Sequence, residues 1–417
     1  MEKSRLFTGP LASAQFRWFY LARTTSLFGS GMTPVALAFA VLQARHGHQL
    51  LGYILAAELL PNILMVLIGG TVADRYRRDR LIQLANVGSG FSQGCIAAVV
   101  LTGTNPYWLF PFAIMNGVLG AFTSPAMRGI VPELVDEDDI KQANALLNTS
   151  RSVGRIVGPA AAGILVATAG GGWGIALDAL SFFIAAACMV RVRIPSHPVV
   201  YAHSLIHQIG EGWGYFRKIR WIWLMTGAWT VMNAMQMGAW QVLGPIIAKH
   251  TFGSAGWGLT LSFKAIGLLI ASVMMLRFRL SRPLRDSMIA AAAVGIPMVV
   301  LGQGLALPYL MAAAVVAGSG SAVSGIAWDT SLQQGVPKKK LSRVMAFDEF
   351  GAYAMIPLGE ILAVPAADRF GLLTVETWAG LAFIVTALVP LILPVVRKMT
   401  AADLRALGSE PDEAVPQ

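Results

Sequence analysis

Ionisable residues stand inside the long apolar stretches of this 417-residue chain, among them Arg23, Glu58, Arg155, Asp178, Lys264 and Glu360, with Asp348 and Glu349 close to the end of theirs, where the loop arginines can reach them. A charge in that setting is costly, so each is a functional candidate until a partner accounts for it. The chemistry open to them is proton binding and release, because a carboxyl kept from water holds its proton and gives it up when water arrives. Glu58, near the middle of its stretch, is the leading proton-coupling candidate; Glu360 is second, and Arg155 and Lys264 complete the set. Glu58 and Lys264 stand 206 positions apart, which also suits an ion pair made in one access state and broken by a proton. The plain alternative is a structural carboxylate hydrogen-bonded to its neighbours.

A second pattern suits binding. Trp229, Asn233, Gln236 and Trp240 fall at i, i+4, i+7 and i+11, one face of an α-helix, with Met232, Met235 and Met237 interleaved. Large adaptable side chains with a few directional amides make a cavity wall for bulky, partly apolar compounds. The other reading puts Trp240 in an aromatic belt and the methionines against lipid. Arg23 adds a cation that favours an anionic group on the ligand, although a bond to a neighbouring helix explains it as well.

Other chemistries lack their residues. There is no phosphate-binding glycine loop of the ATPase type, and no nucleophile stands with a plausible base, so the chain is not read as an enzyme. The six histidines, at 46, 48, 197, 203, 207 and 250, fall outside metal-ligand spacings. No metal and no cofactor are expected. Cys95 and Cys188 read as small buried hydrophobes in separate stretches.

The elements that must hold these residues follow from composition. Only 13% of residues are charged against 55% hydrophobic, with a mean hydropathy of +0.61. So few charges cannot cover a water-soluble surface, so lipid is the solvent. Spans of about 20 apolar residues are predicted at 16–42, 49–71, 81–102, 106–127, 142–168, 172–191, 219–248, 255–276, 285–304, 308–330, 343–365 and 375–396. The first of these runs too long for a cleavable signal peptide.

The net charge of +10 is dispersed in loops rather than gathered on a nucleic-acid-binding face. Arg77, Arg193, Lys218, Arg282 and Lys340 and their basic neighbours share one side, against Arg45, Lys249 and Arg369 on the other. The positive-inside rule therefore puts both termini in the cytoplasm. Gly52 matches Gly258, and Val131-Pro132 matches Val336-Pro337, at offsets of 206 and 205. Such an internal repeat means two halves with a substrate route near the midplane. The expected organisation is a cytoplasmic segment 1–15, a six-helix bundle 16–191, a linker 192–218, a second bundle 219–396 and a cytoplasmic tail 397–417, disordered after Arg405.

Three motifs carry a resemblance. The loop Gly69 to Arg80 resembles the cytoplasmic signature of the major facilitator superfamily through Gly70, Ala73, Asp74, Arg75, Arg78 and Arg80, with Arg77 where a second glycine is usual. The resemblance implies a gate in which Asp74 faces the N-terminal end of the eleventh helix. Gly154, Gly158, Pro159 and Gly163 in the fifth span look like the glycine-proline motif of the antiporter branches, with Ala162 in place of a glycine. Ser124-Pro125-Ala126, Val131-Pro132-Glu133-Leu134, Ala143-Asn144-Ala145-Leu146 and Asp178 to Phe182 are similar in order to the siderophore-exporter and macrolide-efflux branch.

The resemblance implies an all-α integral membrane protein, twelve helices in two six-helix bundles with the major facilitator fold. In that fold the second and eleventh helices face each other, as do the fifth and eighth, placing Glu58 with Glu360 and Arg155 with Lys264. Asn116 and Trp328 would line the cavity with Arg23, and Asp178 would be peripheral and structural. The function implied is a proton-coupled exporter of a medium-sized organic compound, working as a monomer in the inner membrane of a bacterium. Its partners would be a small-molecule substrate, protons and the lipid bilayer, with no nucleic acid. An importer of the same fold and a non-transporting receptor are the alternatives.

Overall fold

A computed structural model describes residues 9–44, 46–75, 77–194, 213–214, 216–278 and 280–409, without the side chains of 65–75, 124–126, 128–129, 338–339, 342 and 409. The described residues are helical with no strand. They divide into two compact units, 1–200 with 252–262, and 201–251 with 263–417.

The first unit contains α1 (Ala14–Gln43), α2 (Gly47–Arg75), α3 (Arg78–Thr102), α4 (Leu109–Ile130), α5 (Ile140–Ala169) and α6 (Gly171–Met189). Ser13 caps α1, its Oγ accepting from the Phe16 N–H at 3.3 Å. At 30 residues each, α1 and α5 reach about 45 Å, past the ~30 Å hydrocarbon core. Phe16, Phe19, Ile82, Ile130, Leu134 and Met189 form a core knitting α1, α3, α4 and α6, and Cys188 is buried within it.

In the second unit, α7 (Arg220–Met235) passes into a π-helical stretch, Gln236–Leu243, and then α8 (Gly244–His250). After α9 (Gly253–Met275), a 3-10 turn divides the next helix into α10 (Pro283–Ala292) and α11 (Ile296–Gly302). α12 (Leu307–Gly335), α13 (Lys338–Tyr353), α14 (Ile356–Phe370) and α15 (Leu372–Leu388) follow. The first turns of α9, through Ser262, belong to the first unit. Trp221, Met225, Met232, Met288, Trp328 and Phe383 are prominent in the core here.

Nine helical stretches among the described residues are long and apolar enough to cross a membrane. The expected spans at 49–71, 106–127 and 219–248 are helical but lie outside those nine; the last is divided by the π turn into pieces of 16, 8 and 7 residues. Leu84, Phe91, Ile164, Val273, Leu362 and Val385 are exposed, a surface suited to lipid chains rather than water.

The internal repeat appears in local geometry. α5 turns into α6 at Gly170, and α14 into α15 at Gly371, 201 positions later, each with φ +92°. Only glycine adopts that backbone without a Cβ penalty, so α6 and α15 are each entered through a one-residue turn.

The C-terminal end departs from expectation. Two short helices close the described chain, α16 (Pro394–Lys398) and α17 (Ala401–Ser409). Thr400 and Asp403 cap α17 reciprocally, Thr400 N donating to Asp403 Oδ2 at 2.8 Å and Asp403 N to Thr400 Oγ1 at 3.2 Å. Those bonds hold the Asp403 carboxyl below its ordinary range. Leu404 is fully buried, and Gly335 of α12 lies against its side chain, so order extends past Arg405 because one apolar anchor has a groove to fill. Leu404→Ala is expected to weaken this docking by about 2–5 kcal/mol. Limited proteolysis should then cleave near Thr400 sooner than in the parent; equal cleavage rates would count against the anchor.

Candidate functional site

In the first unit, Glu58 on α2 accepts a hydrogen bond from Asn116 Nδ2 on α4 at 2.8 Å. Asn116, expected as a cavity residue, is thus the donor to the leading proton candidate. The two helices touch backbone to backbone, because a Cβ on Gly117 would collide with the Glu58 carbonyl oxygen. The second unit repeats this contact with different chemistry, since a Cβ on Gly318 would collide with the Lys264 carbonyl oxygen. Glu58 and Lys264 therefore hold corresponding places in the two units. Lys264 Nζ lies 5.6 Å from the centre of the Trp240 ring, a cation–π contact.

Arg23 on α1 and Arg155 on α5 both lie within electrostatic reach of Arg151. The helices meet through Thr24 Oγ1 donating to Ser150 Oγ at 3.1 Å and Ser150 Oγ donating to the Tyr20 hydroxyl at 2.9 Å. Among the described residues none of these three arginines has a carboxylate partner. Like charges so placed, without an acid among them, would attract an anionic group. Sequence spacing alone missed Arg151, one helical turn before Arg155.

The glycine-proline motif serves two neighbours. Gly154 and Gly158 let α1 approach, and a Cβ on Gly158 would sit 2.8 Å from the Gly31 Cα. Further along, Gly163 O accepts from Ser254 Oγ at 3.0 Å and the Pro159 carbonyl lies against Gly258 at the start of α9. The stripe is small on both sides because backbones, not side chains, make the contact.

Of the loop signature, Gly70, Asp74 and Arg75 have side chains outside those described. Arg78 Nη1 donates to Glu133 Oε1 at 2.6 Å, tying the loop to the Val131-Pro132 turn. Arg77, the departure from the motif, pairs with Asp79 at 2.8 Å. Arg80 is exposed at the start of α3.

The expected tryptophan-amide face is not continuous. α-Helical register ends at Met235, and the π turn shifts Gln236 and Trp240 relative to Trp229 and Asn233. Met232 and Trp328 are core residues of the second unit, with Trp229 packed against that core. Asn233 Nδ2 donates to Ala352 O at 3.0 Å and Thr230 Oγ1 to Gly351 O at 2.8 Å. Those carbonyls lie beside the break between α13 and α14, where the Asn233 amide satisfies a backbone acceptor.

Trp328 also has a polar task. Its Nε1 donates to Asp348 Oδ2 at 2.8 Å, and Thr226 Oγ1 donates to Asp348 Oδ1 at 2.6 Å. Asp348, nearly buried, thereby joins α7, α12 and α13; its partners are these neutral donors rather than the loop arginines. Asp178 is buried too, accepting from Thr33 of α1 at 2.8 Å and from Ser181 at 3.4 Å. Glu360 is buried on α14. Glu376 escaped notice because the predicted span begins at 375; the structure starts α15 at Leu372 and buries it completely.

A cavity of about 720 Å³ opens where α1 meets α2 and α3 meets α4, with Gln43, His46, Thr104, Asn105 and Tyr107 in its lining. None of the expected site residues lines it.

Comparison with known proteins agrees with this architecture. The family model for transmembrane secretion effectors matches residues 7–416. Enterobactin exporters of Shigella boydii serotype 4 and Escherichia coli O1:K1 are 26% identical over 382 residues, covering 86% of this chain and 89% of each relative. The crystal structure of a mutant nucleoside transporter shares the fold with a TM-score of 0.75 at 12% identity, covering 90% of this chain and 98% of that one. A POT family transporter in complex with 5-aminolevulinic acid gives 0.73 at 14% identity, covering 93% and 97%. The chain belongs to the transmembrane secretion effector family of the major facilitator superfamily.

Proposed function

We propose that this protein is a proton-driven exporter of a medium-sized organic compound such as a siderophore, macrolide or other drug. It works by alternating access, with twelve spans in two six-helix halves and both termini on the cytoplasmic side of a bacterial inner membrane. The observation that carries the reading is Glu58 on α2, whose hydrogen-bond donor is the neutral amide of Asn116 rather than a cation. A carboxyl so placed can exchange a proton without breaking an ion pair. The arginines at 23, 151 and 155 support an anionic cargo, and the relatives named as enterobactin exporters support the outward direction. Arg155, Lys264 and Glu360 stay in this reading as second-rank coupling residues, and Asp74 with Arg75 as the cytoplasmic gate.

The test is accumulation of a fluorescent hydrophobic dye, and of iron-free enterobactin, in cells with and without the protein and a protonophore. Lower accumulation that the protonophore restores, beyond its effect on control cells, is the expected result. Accumulation that rises when the protein is present would replace export with import.

A further inference from the structure

Glu376 has a setting that no other described carboxylate shares. It is fully buried on α15, and neither carboxyl oxygen meets a hydrogen-bond donor. The contrast is Asp178 on α6, which is equally buried but accepts from Thr33 and Ser181. An ionised carboxylate without donors or a cation cannot be held in such a place, whereas a neutral carboxyl can. Proximity of a base does not supply the answer either. Toward the Gly371 end, the packed elements carry Lys249, His250, Glu360, Asp368 and Arg369. Arg220, Arg285 and Asp286 lie at the other end, the last two paired at 2.8 Å. None of these groups makes a hydrogen bond or ion pair with Glu376.

Position adds a route. Glu376 is five residues beyond the Gly371 turn, about 8 Å along the helix, so it lies near one end of the unit and not at its centre. Its chain neighbour Thr377 accepts from Gln303 Nε2 at 3.4 Å, where α11 ends. A small separation of α15 from α11 would bring water to the carboxyl by way of this polar pair. We propose that Glu376 is a second proton-binding site, in the C-terminal unit and separate from Glu58. It carries a proton in the conformation seen here and releases it to water when the α11–α15 contact opens. The transport role rests on the proton-driven reading above; the protonated state does not.

Two measurements separate these parts. Infrared spectra of the purified protein in lipid at neutral pH should show a protonated-carboxyl carbonyl band that loses intensity in Glu376→Gln. Glu376→Asp, which keeps a carboxyl, should retain a shifted band and guards against a glutamine variant that fails to fold. An unchanged band in folded Glu376→Gln would overturn the proposal. In proteoliposomes with iron-free enterobactin as the probe, a one-unit pH gradient drives about tenfold accumulation per coupled proton. Glu376→Gln should lose this gradient-driven accumulation and keep probe exchange. Accumulation equal to the parent's would remove Glu376 from coupling. If the parent itself ignores the gradient, the proton-driven reading fails and with it the coupling role of Glu376, while the infrared result still decides whether the site holds a proton.

Discussion

Glu58→Gln should abolish accumulation against a gradient while leaving the protein folded and able to exchange substrate. The substitution is nearly isosteric, and the glutamine carbonyl can still accept from Asn116 Nδ2, which reaches Glu58 Oε1 at 2.8 Å. The packing of α2 on α4 depends on Gly117 meeting the backbone of residue 58, which the change does not touch. What is lost is the titratable proton. One proton crossing with a one-unit pH gradient and 100 mV supplies about 3.7 kcal/mol, a concentration ratio of roughly 500. The variant should reach a ratio near one in energised vesicles, with counterflow close to the parent's. A variant that concentrates substrate as well as the parent would remove Glu58 from the mechanism. Loss of counterflow as well would make it a binding or structural residue.

The largest stability effect is expected at Asp348. Its carboxylate takes hydrogen bonds from Thr226 and Trp328 and so fastens three helices of the C-terminal unit. Asp348→Ala leaves the Trp328 N–H without an acceptor in a buried site and opens a cavity beside it, a loss of about 3–5 kcal/mol. Thr226 suffers less, because its hydroxyl also reaches the Ile222 carbonyl at 3.0 Å. Asp348→Asn keeps one acceptor oxygen and should cost roughly 1–2 kcal/mol. The measurement is the fraction remaining monodisperse in detergent after a heating series. The order parent, Asn, Ala is expected in decreasing stability, and an alanine variant as heat-resistant as the parent would show that the network contributes nothing.

Much of this protein is written locally. Scarce charge, long apolar stretches and basic loops decide for a membrane-embedded helical chain, because lipid allows backbone groups no partner outside the helix. The glycines and proline of α5 are equally legible, since small residues four apart mark a close helix contact whatever the partner. The pairing of Glu58 with Lys264 by spacing also has its counterpart in structure, where a glycine receives each backbone carbonyl.

Which residues face each other is not written locally. Periodicity placed Trp229, Asn233, Gln236 and Trp240 on one face, but a π turn from Gln236 breaks the α-helical register between the first pair and Trp240. Residue type marked Asp348 as a partner for loop arginines, yet two neutral donors on other helices hold it. The predicted span opens at 375, one residue before Glu376, whereas the Gly371 turn starts α15 at Leu372 and the carboxyl is fully buried. Local composition sets which segments enter the membrane, because transfer from water depends on each segment's own side chains. Partners and burial are decided in the tertiary structure, because they depend on side chains brought together from helices far apart in the chain.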